Sequence, residues 1–267
     1  MKILIPLVAW SLIYLGWYCG THPNTCTRPV VWDLLLVEGA YYHLWFLYAI
    51  LNIYLILPVL RLMIQPNTDQ RILWYLIVLW LVFQGIISIA HKFWDFRIRL
   101  DPPLTTGFVC FLILGYLLGE ITLTRGRVVW SVVIWMLATF VTTLGTYVLT
   151  RNSGEFDGFF YDFVSLNVIL ASAAAFLLLR WMSETEPLNF LRVQGTVRSL
   201  ALSSFGIYLI HIIVIEILSG WLPGVQIDTA MGHALWSIPL LSTLVFSLSY
   251  FAVRILQHIP LVKRIVP

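Results

Sequence analysis

Val128–Leu149 reads VVWSVVIWMLATFVTTLGTYVL, 22 residues without one charged side chain. A helix rises about 1.5 Å per residue, so about 20 apolar residues cross a hydrocarbon core about 30 Å thick. The stretch is long enough to span and carries no charge, which predicts a helix facing lipid and other helices. Seven further segments share this character. They are Ile3–Cys19, Leu44–Ile64, Ile72–Ala90, Thr105–Leu123, Val164–Trp181, Leu200–Leu222 and Ala234–Ile255. The connections HPNTCTRP, QPNTDQR, RIRLDPP, TRNSGEFDG and SETEPLN carry nearly all the charge, with Pro and Gly as turn formers. The expected fold is an all-α polytopic transmembrane bundle of about eight helices, a single domain over residues 1–267.

Composition agrees. Hydrophobic residues make up 60% of the chain and charged residues 11%, against about 45–50% and about 25% in soluble domains. The 12 Trp, 12 Tyr and 16 Phe suit interfacial belts. A net charge of +3, spread over loops, gives no footprint for nucleic acid. The first segment contains Pro6 and several Trp and Tyr, and no small-residue cleavage site follows it. It reads as a retained helix rather than a signal peptide. The three cysteines have no metal-ligand spacing. Cys19 and Cys26 stand close enough in the first connection for a disulfide, and incidental thiols are the other reading.

Lys and Arg placement sets the orientation. Lys2, Arg61, Arg71, Arg125, Arg127, Arg180, Arg192, Arg198, Arg254, Lys263 and Arg264 fall on one side. Arg28, Lys92, Arg97, Arg99 and Arg151 fall on the other. The richer side is cytoplasmic, so both termini are inside. The third connection, with Lys92, Arg97 and Arg99, goes against the rule.

Ionisable groups at membrane depth mark functional candidates. His211 lies 11 residues past Leu200, about 17 Å in, near the midplane. Ser204, Tyr208 and His211 share a helical face. Glu216, five residues on, falls on another face. Tyr41, Trp45, Tyr48 and Asn52 form a second stripe, with His43 at its outer mouth and Asn52 about 12 Å in. Asp162, Ser165 and Ser172 form a third, near an outer helix end. Three polar stripes opening outward predict a water-accessible cavity for a hydroxyl-rich molecule. Each has a plainer reading. His211 serves as interhelical glue, Trp45 and Tyr48 as belt or packing residues, and Asp162 as a helix N-terminal acid. Arg61, Arg125, Arg127, Arg192 and Arg198 mark the inner side, or contact phosphates. The six histidines form no HxxxH or HExxH, so no metal is expected.

Four motifs go further. YYHLWFLYAILNIYLILPVLR (Tyr41–Arg61), ILIPLVAWSLIYL (Ile3–Leu15), LILGYLLGE (Leu112–Glu120) and SSFGIYLIHIIVIEIL (Ser203–Leu218) resemble segments of acyltransferase family 3. The likeness is to its bacterial surface-polysaccharide O-acetyltransferase branch, and it covers the whole chain. The resemblance implies a multi-pass protein of the bacterial plasma (inner) membrane. Such a protein moves an acyl group, usually acetyl from acetyl-CoA, to a hydroxyl of an extracytoplasmic glycan. It implies membrane lipid, acyl-CoA and a surface polysaccharide or lipid-linked glycan as partners, with no tightly bound cofactor. The family has ten helices, with an Arg and the expected catalytic His on the first. No residue here matches that His, so the chain is expected to be an N-terminally shortened member.

On this reading His211 and His43 are supporting candidates for the catalytic chemistry. Tyr41, Trp45, Tyr48, Asn52, Tyr208 and Asp162 would line the acceptor site. Arg61, Arg125 and Arg127 would meet the CoA phosphates. A non-enzymatic glycan transporter or assembly subunit, or an inactive remnant of the enzyme, stands as the alternative.

Overall fold

The computed structural model describes residues 3–36, 39–64, 69–96, 108–185, 194–221, 227, 232–260 and 262–266. Lys2, Arg97, Arg99 and Arg192 of the charge pattern lie outside these. In chain order the helices are α1 (Leu4–Thr21), α2 (Arg28–Leu36), α3 (Trp45–Met63), α4 (Gln70–Trp94, with a widened turn at Leu81–Ile87), α5 (Val109–Glu120), α6 (Arg125–Ser153), α7 (Leu166–Thr185), α8 (Gln194–Glu216, continuing through a widened turn at Ile217–Trp221) and α9 (Ala234–Leu256). No strand occurs among the described residues. Among the described residues, seven helices are long and apolar enough to cross a membrane. The chain is therefore a multi-pass all-α membrane protein.

The surface shows why these segments are helical in lipid. On α6, Val129, Trp130, Val132, Val133, Ile134, Trp135, Met136 and Leu137 are all exposed. An aqueous surface would not carry such a run, and a hydrocarbon one does so at no cost. Thr139, Thr142 and Thr143 return their hydroxyls to carbonyls four residues back, at 2.8–3.0 Å, so these three hydroxyls are satisfied within the helix.

Two expected features differ. The segment at Thr105–Leu123 has 12 described helical residues, Val109–Glu120. At about 1.5 Å each they reach about 18 Å, short of the core. The end of α5 is fixed from outside the helix: Arg180 donates to the carbonyls of Leu118 and Ile121 at 2.9 and 2.8 Å. The first connection, read as a loop, contains α2, which starts directly before a Pro suited to the first turn. In the same connection Cys19 and Cys26 are disulfide-bonded.

The chain divides into two compact units. One comprises Met1–Ile56 and Asn189–Pro267. Its core gathers Leu7, Trp10 and Tyr14 of α1, Leu44 and Leu47 at the start of α3, Ile207, Leu209 and Ile212 of α8, and Val253 of α9. The C-terminal turn Val262–Arg264 brings Val266 into the same core. Trp10 Nε1 donates to the Ile265 carbonyl at 2.9 Å. Gly206 makes this closure fit: a Cβ there would stand 2.7 Å from Val266 Cγ1 and 2.8 Å from Val253 Cγ1. Gly206→Ala is therefore expected to destabilise the protein by about 1–3 kcal/mol through overpacking. Thermal unfolding in detergent reads this as a lowered Tm, and adding Val266→Ala should recover part of the loss.

The other unit comprises Leu57–Leu188. Here Asn167 of α7 donates to Thr142 Oγ1 of α6 and to the Phe160 carbonyl, both at 2.7 Å. Such interhelical bonds add specificity where hydrophobic burial cannot. At one end Lys92 meets Asp157 at 2.5 Å. That hydrogen bond and the backbone N–H of Phe159 hold the Asp157 carboxyl below its usual range. Asp162 and Ser165 precede α7 in a non-helical stretch, so they do not share a helical face with Ser172 as the spacing suggested.

Candidate active site

The polar residues singled out in sequence around His43 and His211 meet in the unit formed by the two chain ends. Tyr41 is extended, with φ −158° and ψ 150°, and a single 3-10 turn, Tyr42–Leu44, leads into α3. Tyr41 therefore stands before the helix and does not continue the face of Trp45, Tyr48 and Asn52. This break lets Tyr41 and His43 both reach toward α8 and α1.

His43 is 6% exposed. Its ring centroid lies 4.7 Å from that of Tyr14, 5.4 Å from His211 and 5.6 Å from Tyr208, each in an edge-to-face arrangement. Tyr41 and Tyr42 complete the enclosure at 5.9 and 5.8 Å. Beside it, the Leu209 carbonyl takes the Tyr14 hydroxyl at 2.7 Å. That carbonyl also faces the His43 ring, but outside hydrogen-bonding geometry. Among the described residues neither ring nitrogen of His43 has a partner. Buried polar groups are rarely left so, and each exception calls for a reason.

The tautomer of His211 follows from its bond. Its Nδ1 stands 2.7 Å from the Tyr208 carbonyl, which can only accept. Nδ1 therefore carries the proton, and Nε2 presents a lone pair. Tyr208 in turn donates its hydroxyl to the His43 carbonyl. His211 lines a cavity of about 460 Å³ between α8 and α9, together with Ile207, Ile215, Leu241, Val245 and Phe246.

Glu216 is the residue that sequence spacing set aside. It is turned away from His211, yet each of its carboxyl oxygens accepts one bond, from Tyr41 Oη and from Trp17 Nε1. A signal existed on α1: Trp10, Tyr14 and Trp17 recur at spacings of four and three, an aromatic stripe on one face. All three point into this unit, at Ile265, Leu209 and Glu216.

The remaining candidates lie elsewhere. Asn52 is exposed and nine residues along α3 from His43, about 14 Å farther in at about 1.5 Å per residue. It does not share the depth of His211. α8 starts at Gln194, and its membrane-length span, Gly195–Gly220, holds His211 about 5 Å from its middle at about 1.5 Å per residue. Trp45 is 37% exposed and Tyr48 half-buried, its ring close to Gly39. Asp162, Arg61, Arg125 and Arg127 belong to the other unit. Asp162 Oδ1 accepts from the Val164 backbone at 3.4 Å, a local turn contact. Arg61 and Arg125 are exposed, and the Arg127 guanidinium donates to Thr122. Among the described residues no three His, Cys, Asp or Glu side chains cluster as metal ligands would.

The family model of the acyltransferase domain of acyltransferase family 3 matches residues 1–254. Searches among curated proteins and among solved structures returned no match.

Proposed function

Since the chain belongs to acyltransferase family 3 and is thus a membrane acyltransferase, we propose that it O-acylates an extracytoplasmic surface glycan, with cytoplasmic acyl-CoA, ordinarily acetyl-CoA, as donor. The observation that carries this reading is the His211 tautomer. An imidazole on a cavity wall whose Nδ1–H is tied to a carbonyl, which leaves Nε2 as the basic nitrogen, has the form of a general base.

The chemistry is a simple exchange. Nε2 of His211 takes the proton of a sugar hydroxyl as that oxygen attacks the thioester carbonyl. The new C–O ester bond forms and the C–S bond breaks. The proton passes from the imidazole to the departing CoA thiolate. His43, enclosed behind His211, supports the second imidazole from the buried side. Tyr41, Trp45, Tyr48, Asn52 and Tyr208 are the aromatic and polar groups proposed to meet the sugar, with Asp162 assigned the same role. Arg61 and Arg125 are the stronger candidates for the CoA phosphates, because the Arg127 guanidinium already holds Thr122.

Placement in a bacterial inner membrane, with the first connection outside, is part of the proposal. The Cys19–Cys26 disulfide supports it, since disulfides persist in oxidising compartments. The test is transfer of labelled acetyl from acetyl-CoA into ester-linked glycan in membranes that carry the chain. Base-labile label on extracytoplasmic glycan is the expected result. Unchanged acetyl content with altered glycan export would favour a transporter and overturn the enzyme reading of the substrate.

A further inference from the structure

We propose that the groove between α8 and α9 binds the hydrocarbon part of the transferred acyl group, so that the enzyme accepts acyl chains longer than acetyl. This rests on acyl transfer at His211, as proposed above.

Size is the first argument. The groove holds about 460 Å³, and one water occupies about 30 Å³ in the liquid. A two-carbon acetyl group would leave most of the space empty. The volume falls instead among those of pockets that hold whole small ligands, about 300–1,000 Å³.

Its lining is the second. Ile207, His211 and Ile215 recur every four residues on α8, a stripe about 12 Å long with the imidazole at its middle. Leu241 and Val245 face it from α9. A thioester seated beside the His211 imidazole would have apolar wall along the helix in both directions.

The polar atoms are the third. A bed for a membrane lipid tail has no use for a histidine or a hydroxyl, which are costly in hydrocarbon. The groove has both, His211 and Ser242. The neighbouring Thr243 and the later Ser247 return their hydroxyls to carbonyls four residues back, at 2.7 Å each. No such bond ties Ser242 among the described residues. Its hydroxyl is available to a thioester carbonyl beside the base. One polar spot within an apolar channel is the chemistry of an acyl thioester.

The experiment uses the full chain in proteoliposomes and a hexanoyl-CoA tipped with a photoreactive diazirine. Adducts are expected on the α8 and α9 segments that line the groove. Unlabelled hexanoyl-CoA should compete at least about tenfold better than acetyl-CoA, since each methylene in an apolar pocket is worth about tenfold or more. Leu241→Trp, which fills the groove, should cut labelling about tenfold relative to wild type. Leu241→Ala, which widens it, should shift competition toward octanoyl-CoA. Opposite shifts from the two variants exclude simple misfolding.

Labelling spread over lipid-facing helices such as α6, equal labelling by a diazirine phospholipid, or no response to Leu241→Trp would overturn the proposal. The two readings separate cleanly. Glycan acetylation with an unlabelled groove sinks the groove alone. A labelled groove with no acyl group reaching glycan sinks the proposed acceptor and leaves the groove.

Discussion

His211→Gln is expected to lower acyl transfer by about 10²–10⁴-fold, the usual contribution of a general base, while the chain still inserts and folds. The glutamine amide can keep an N–H on the Tyr208 carbonyl, as Nδ1–H does now at 2.7 Å. It has no basic lone pair to offer at the cavity wall. The loss should fall on kcat, with donor KM little changed, because the missing interaction belongs to the transition state. His43→Phe asks a sharper question. Phenylalanine preserves the edge-to-face packing against Tyr14 and Tyr208 and removes only the nitrogens. If His43 were packing alone, Phe would serve better, since an unpaired buried polar ring costs stability. We expect a split: higher thermal stability, as packing alone would give, but at least about tenfold lower kcat, a smaller loss than for His211 because His43 acts from behind it. Stability and activity measured on the same detergent preparation check both, and unchanged kcat in His43→Phe would remove His43 from the chemistry.

The membrane fold was legible because its signal is simple. Eight apolar runs gave eight helices at nearly the expected places, and only Val109–Glu120 fell short of a span. That case shows the limit of counting apolar residues. The chain runs on apolar past Glu120, but Arg180, 60 residues later, takes the carbonyls at the helix end. Helix α2 was missed for a related reason: HPNTCTRP reads as loop by composition, and its final Arg and Pro open a nine-residue helix.

The site was half legible. His43, Tyr208 and His211 were chosen for being polar in apolar helices, and they do meet. Helical spacing failed where the chain was not helical, at Tyr41 and at Asp162. It misled at Glu216 too. Five residues from His211 correctly meant a different face, but that face is turned toward α1 and Tyr41, where it finds two donors. Face logic on one helix says nothing about what the neighbouring element brings, and here that element is an extended residue ahead of α3.

Glu216→Ala is the second large effect. Three segments converge on this carboxyl: α1 through Trp17, the approach to α3 through Tyr41, and α8 which bears it. Tyr41 stands two residues before His43, and the intervening 3-10 turn is closed by Leu44 N–H on the Tyr41 carbonyl at 2.9 Å. Releasing Tyr41 frees the turn that aims the His43 ring. Two half-buried donors lose their acceptor, at about 1–3 kcal/mol each where no water replaces it. A displacement of about 1 Å in a supporting group can cost about 10²-fold in rate, so we expect kcat to fall by about that factor. Glu216 is a positioning residue, and the conservative variant tells this apart from a catalytic role. Glu216→Gln keeps one acceptor oxygen, and with it one of the two ties. It should recover most of the Tm and part of kcat, whereas an acid or base at this place would be lost equally in Gln and Ala. Tyr41→Phe supplies the cross-check: in the Glu216→Ala background it should add little to the loss, since both changes cut the same bond. Full additivity of the two variants would show that Glu216 acts on the reaction by a route other than Tyr41.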